Sequence, residues 1–161
     1  MHPMSKQNLQ LKEHFYKNIL PALQKDLKAK NVWEVPRITK IKLNVGLGSF
    51  IASKKDYTQV IENLTAIGGQ KPVVTKARKA ISNFKIRQNQ PIGVTVTLRG
   101  KRMYDFLAKL VNVTFPRIRD FRGISPKAFD GHGNYTVGVT ETTVFPEINP
   151  DSIDKIHGLE I

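Results

Sequence analysis

The sequence predicts an α+β domain: an antiparallel-rich mixed β-sheet with helices packed on one face, the other face open, and an extended basic loop. Three observations carry this. Two segments alternate with the two-residue period of half-buried strands: Ile41, Leu43 and Val45 against Lys40, Lys42 and Asn44, then Ile92, Val94, Val96 and Leu98 against Gly93, Thr95, Thr97 and Arg99. Strands apolar on one face only belong to antiparallel or mixed sheets backed on a single side, not to a doubly wound parallel sheet. Finally, Asn63 to Tyr104 contains nine Lys or Arg and no Asp or Glu, so +9 of the formal +13 sits in about a quarter of the chain. Self-repulsion on that scale opposes compaction unless a polyanion neutralises it.

Taken in order, Leu11, Phe15, Ile19, Leu20, Leu23 and Leu27 fall near a 3.6 period, predicting a helix over 9–30 that Pro21 kinks or splits. Pro36 leads into the first alternating strand, and Gly46 and Gly48 permit a tight turn after it. Ser53 to Asp56 fits the S-x-x-D capping pattern of a second helix. Tyr57, Val60, Ile61, Leu64 and Ile67 continue that helix, and Gly68-Gly69 stops it. "KPVVT" is a short strand. The basic stretch "KARKAISNFKIRQNQPIG" shows no sustained period and reads mostly as loop. After the second alternating strand, Met103, Phe106, Leu107, Leu110 and Val111 mark a helix ending near Pro116. "DGHGN" is a hairpin turn whose second arm is "YTVGVTETTVF", closed by Pro146. With 161 residues and no repeats, low-complexity segments or linkers, 1–161 forms a single domain, with 1–8 expected to be flexible.

A pI near 10.1 points to an acidic partner, nucleic acid more often than an anionic membrane surface. No apolar run approaches the roughly 18 residues of a membrane-spanning helix. The start, MHPMSKQNLQ, has neither a secretory apolar core nor an Arg-rich presequence face. Zero cysteines exclude disulfides and thiolate chemistry, as a reducing compartment would favour. A cytoplasmic or organelle-interior location is expected. His2, His14, His132 and His157 are scattered without ligand spacing, so no metal, cofactor or reaction centre is expected, and His132 reads as a turn residue. "NVGLG" is half of a dinucleotide fingerprint. Its helix is expected to begin only near Ser53, and no carboxylate follows at the end of the next strand, so a plain turn is the better reading.

What remains is binding. The polar sheet face offers Lys40, Lys42, Asn44, Thr95, Thr97 and Arg99, donors suited to phosphate, ribose and base edges, and no acidic residue interrupts these two strands. In "FPRIRDFRGISPKAF", Arg117, Arg119, Arg122 and Lys127 alternate with Phe115, Phe121 and Phe129. That pattern suits stacking plus phosphate contact, although most of the phenylalanines are expected to fill the core.

"PRITKIKLNVGLG", "GGQKPVVTKARKAISNFKIR", "PIGVTVTLRG", "PRIRDFRGISPKAFDGHGNYTVGV" and "FPEI" together resemble the bacterial-type family of large-subunit ribosomal protein five, the 5S-rRNA-binding ribosomal proteins, from about Trp33 to Ile161. The resemblance implies a non-enzymatic constituent of the central protuberance, on a cytoplasmic or organellar ribosome, without cofactor, membrane or homo-oligomer. It implies 5S rRNA and a 23S rRNA arm as partners, P-site tRNA, and small-subunit protein thirteen across the subunit interface. Lys40, Asn44, Gln70 and Thr97 match the family's 5S contacts. The tRNA-facing segment matches 76–90, with Lys76, Arg78, Lys79, Asn83, Lys85 and Arg87. Where the family commonly has Gly, this chain has Asn83 and Asn89, the residue type that best tolerates positive φ. Relatives also continue past "IHGLEI", so Ile161 is expected to end within a strand and to leave an unpaired edge unless a neighbour covers it. A free RNA chaperone, or an enzyme acting on RNA or nucleotides, are the alternatives. The first would wash off large subunits in high salt, and the second lacks a carboxylate and histidine constellation.

Overall fold

A computed structural model describes residues 11–53, 56–119, 121–150 and 156–161; the expected flexibility of 1–8 lies outside them. Five strands form one sheet: β1 (Ile41–Gly46), β2 (Val73–Lys76), β3 (Pro91–Leu98), β4 (Gly138–Val139) and β5 (Leu159–Glu160). Their order is β2-β3-β1-β5-β4, with every pairing antiparallel. The alternation sets the register. Leu43 lies opposite Val96 and Val45 opposite Val94 on one face, and Lys42 opposite Thr97 and Asn44 opposite Thr95 on the other. Ile92 departs from its expected burial because it lies one residue past the last β1 pair, Gly46 with Gly93, and it is exposed. Lys40 and Arg99 fall just outside β1 and β3.

The helical segments are α1 (Leu20–Asp26), α2 (Gly48–Ala52), α3 (Thr58–Gly68), α4 (Gly100–Lys109) and α5 (Phe115–Arg117). Val60, Leu64 and Ile67 of α3 and Met103, Tyr104 and Phe106 of α4 join the apolar sheet face in one core with Phe145 and Leu159. Each fully buried Leu or Val there is worth about 1.5–3 kcal/mol. α3 stops as expected, at Gly69 with φ 66°. Its start differs from the S-x-x-D expectation. Asp56 Oδ1 accepts from Thr58 N and Thr58 Oγ1 at 3.1 and 2.9 Å, whereas the Ser53 hydroxyl donates to Ser49 O at the end of α2. Donation by the Thr58 hydroxyl, then by its N–H, holds the Asp56 carboxyl below its ordinary value.

Proline explains two irregular turns. A π-turn at Phe15–Ile19 precedes Pro21, and another at Leu110–Thr114 precedes Pro116. In each, the residue before proline donates five residues back: Leu20 N to Phe15 O and Phe115 N to Leu110 O. A proline inside a regular helix clashes with the carbonyl four residues earlier; widening the preceding turn relieves that clash, so both helices continue without a break.

One expectation for the C-terminal third is corrected. "YTVGVTETTVF" pairs across the turn at Tyr135 with Phe129 and along the sheet from Val137 to Val139, and then coils, because Thr142, Phe145 and Ile148 are buried at a spacing of three, the period of a 3₁₀ turn. Ile161 does not follow an open edge: β5 lies between β1 and β4, and Val137 and Ile161 exchange two backbone bonds of 2.8 Å.

Gly93 leaves room for Thr75 on the open face. A Cβ there would lie 2.9 Å from Thr75 Oγ1 and 3.2 Å from Val45 O. Gly93→Ala is therefore expected to destabilise by about 1–2 kcal/mol in a urea melt. An unchanged midpoint would mean that β2 and β1 yield more easily than a paired ladder should.

Candidate nucleic-acid interface

The face of the sheet away from α3 and α4 is built from β1, β2, β3 and β5. Lys42, Asn44, Thr95 and Thr97 come together on it as adjacent cross-strand pairs, and by alternation Lys40 and Arg99 extend the same face at one end. Thr75 lies opposite Gly93, and exposed Val73 opposite Thr95. Thr95 Oγ1 donates to Leu43 O at 3.0 Å, which fixes its hydroxyl as a presented acceptor. Gln70 works differently from its neighbours. Its Nε2 donates to Thr97 O at 2.9 Å and its Oε1 accepts from Arg102 Nη1 at 3.2 Å, so both ends of the amide clamp β3 to α4.

Lys40 and Lys42 are exposed. Among the described residues the ion pairs are Lys17 with Glu13 and Lys109 with Glu147, neither involving the acid-free segment nor the sheet face. One carboxylate does stand on that face. Glu160 of β5 lies opposite Asn44, and Asn44 Nδ2 donates to Glu160 Oε2 at 2.9 Å. The absence of acidic residues holds for β1 and β3 but fails for the assembled surface. Local alternation could not reveal this, because the pair is separated by 116 residues.

The basic stretch read as loop is a bonded ribbon. Ala77 N donates to Gln90 O at 2.8 Å, Asn89 N to Ala77 O at 2.9 Å, and Ile81 and Ile86 exchange bonds of 2.9 and 3.1 Å. Buried Ala77 anchors its base, while Lys76, Arg78, Lys79, Asn83, Lys85 and Arg87 are exposed around it and Phe84 stands 72% exposed near the tip. Asn89 takes the expected left-handed backbone, φ 63°. At the tip that conformation belongs to Lys85, φ 54°, and not to Asn83, because Lys85 N closes the turn on Ser82 O.

Arg117, Arg119, Arg122 and Lys127 are all exposed along the segment that follows α4. Of the three phenylalanines between them, Phe115 packs against the core and stacks on Phe121 with ring centroids 4.8 Å apart. Phe121 and Phe129 are 41% and 59% exposed, so the expectation that most fill the core is corrected; Phe129 sits edge-on to Tyr135 instead. "DGHGN" is a turn as expected. Asp130 accepts from Asn134 Nδ2, His132 N and Asn134 N, which together hold its carboxyl below the usual range, the side-chain amide most strongly. His132 contributes a backbone donor there. A helix begins at Gly48, earlier than expected for "NVGLG", but it runs only five residues. Among the described residues no group of His, Asp and Glu could hold a metal ion.

The arrangement can bind an anion chain across a hydrogen-bonded, largely cationic sheet face. Residues 31–87 match the family model for Ribosomal protein L5, and residues 91–161 match the model for the C-terminus of the same ribosomal family. The chain is 57% identical over 151 residues to the large ribosomal subunit protein uL5 of Desulfatibacillum aliphaticivorans, covering 94% of this chain and 84% of that one. It is equally identical, with the same coverage, to uL5 of Burkholderia multivorans, and 51% identical over 153 residues to uL5 of Chloroflexus aggregans, covering 95% and 85%.

Proposed function

The chain belongs to the ribosomal protein L5 family, a structural and non-enzymatic constituent of the large subunit of the cytoplasmic ribosome, and from that premise we propose that its open sheet face docks 5S rRNA. The observation that carries the proposal is the assembled face itself, where Lys42, Asn44 and Thr97 stand together on a paired ladder and Lys40 continues it at one end. Lysines neutralise phosphates, and threonine hydroxyls and Asn44 suit ribose and base edges. A hydrogen-bonded sheet holds these groups before RNA arrives, so little ordering entropy is lost on docking. Gln70 acts by holding β3 to α4.

The ribbon at 76–90 then projects its cations toward P-site tRNA. Arg117, Arg119, Arg122 and Lys127 serve a 23S rRNA arm and, across the subunit interface, small-subunit protein thirteen. This division of labour puts the protein in the central protuberance. The test is binding of the intact chain to 5S rRNA beside an unrelated RNA of equal length, for wild type and for R78A/K79A/K85A. The triple variant should retain 5S affinity within about threefold, because the ribbon extends beyond the ends of β2 and β3, while ribosomes carrying it hold P-site tRNA less tightly. Equal loss of both activities would overturn the division, and indifference of wild type to 5S rRNA would overturn the docking face.

A further inference from the structure

We infer that the Glu160 carboxylate, oriented by Asn44 within an otherwise cationic surface, reads the donor edge of a guanine in the docked RNA. The inference rests on the RNA-docking reading of the sheet face and adds to it a specificity-determining residue.

A carboxylate is out of place on a phosphate-binding surface. A phosphate brought within contact distance would repel it strongly, since little water is left between them to screen the two charges. The spot over Glu160 is therefore closed to the RNA backbone and open to a neutral group that donates hydrogen bonds. The local pairing sharpens the requirement. One of the two Asn44 Nδ2 hydrogens goes to Glu160 Oε2 at 2.9 Å, so Asn44 keeps one donor and its Oδ1, and Glu160 offers Oε1 and a further lone pair on Oε2. Glu160 itself presents acceptors only.

Ribose hydroxyls and the exocyclic amines of adenine and cytosine each bring donors on one atom. Guanine alone places donors on two adjacent atoms, N1–H and the N2 amine, at the spacing of the two oxygens of a carboxylate. Access is open. Glu160 is exposed, its β4 neighbour on the same face is Gly138, and even a Cβ added at Gly138 would meet nothing within 4 Å. A planar base can approach edge-on from that side. Glu160 is also held at the backbone, since β5 pairs with β1 on one side and β4 on the other.

Simple electrostatics and base reading predict opposite signs for Glu160→Gln, which keeps an acceptor for Asn44 while removing the charge and turning the second acceptor into a donor. If Glu160 were merely an unfavourable charge, E160Q would bind every RNA more tightly. Base reading predicts affinity for 5S rRNA lower by about tenfold, within the range expected for one bidentate base contact. It also predicts an unrelated RNA bound equally or better, and an unchanged salt slope, because no phosphate contact is lost. A urea melt checks that the variant folds. Independently of any variant, kethoxal modifies guanine at N1 and N2, so the wild-type complex should protect at least one guanine that E160Q re-exposes. E160Q binding 5S rRNA as tightly as wild type, or no guanine protected in the wild-type complex, overturns the inference. A wild-type chain that does not distinguish 5S rRNA from the unrelated RNA overturns the docking reading beneath it and takes this inference with it.

Discussion

Replacing Lys40 and Lys42 together with alanine is expected to flatten the dependence of log affinity for 5S rRNA on log salt by about 1.4–1.8, two phosphates' worth at 0.7–0.9 each. Both side chains are exposed and neither forms an ion pair among the described residues. Their removal therefore leaves the core untouched, and the change belongs to binding alone. Affinity at moderate salt should fall by about tenfold or more, and equally for every RNA sequence that reaches the face, since phosphates carry no base identity. Filter binding from low to moderate salt, with wild type and variant side by side, measures both quantities. A slope that does not move would mean that the two lysines point at solvent in the complex, and the docking face would have to be sought on the ribbon or near Arg117 to Lys127. The contrast with Glu160→Gln is useful. One substitution should alter the slope and spare discrimination, and the other should do the reverse.

Much of this surface was legible because a strand's period is local. Lys42 and Asn44, like Thr95 and Thr97, declare a shared face within four residues of chain, and the burial of Leu43, Val45, Val94 and Val96 fixes which face it is. What local reading misses are partners brought in by topology. Glu160 reaches Asn44 only because β5 inserts between β1 and β4, and nothing within "HGLEI" announces that position. The ribbon at 77–90 failed to show a period for a related reason: its pairing rests on the Ile81–Ile86 bridge and on bonds between Ala77 and residues 89 and 90, too few to impose alternation. The exposed Phe121 and Phe129 were hidden by a sound rule, that phenylalanine goes inside. Their segment follows Pro116, where Phe121 stacks on Phe115 at the margin of the core, Phe129 sits edge-on to Tyr135, and Tyr135 Oη donates to Ser125 O at 2.7 Å. Both proline-linked π-turns were half legible. The sequence announced the proline, but whether a helix breaks or widens depends on the packing of Phe15 and Leu110 against the core on either side.

The largest effect on stability is expected at Lys109, a cation that sequence inspection passes over. Its side chain is 12% exposed, and Nζ donates to Glu147 Oε1 at 2.7 Å and to Ile67 O at 2.8 Å. Ile67 O is one of the carbonyls near the C-terminal end of α3 that the helix itself leaves unpaired, where a cation also complements the helix dipole. The ammonium further lies over the Phe106 ring, 5.6 Å from its centre. One side chain thus joins α4, the end of α3 and the turn after Phe145. Lys109→Met keeps the aliphatic stem and removes the charge, leaving a half-buried Glu147 and a carbonyl without their donor. A loss of about 2–3 kcal/mol is expected, below the 3–5 of fully buried pairs because Glu147 keeps some water. In a chain of this size that lowers Tm by roughly 5–10 °C. Glu147→Leu alone should cost less, since Lys109 still holds Ile67 O. The double variant K109M/E147L should recover part of the loss, because the stranded carboxylate is gone and two apolar groups face each other. Thermal melts of the four proteins decide it. Additive losses in the double variant would mean that the cation acts through Ile67 and Phe106 alone, with the ion pair contributing nothing.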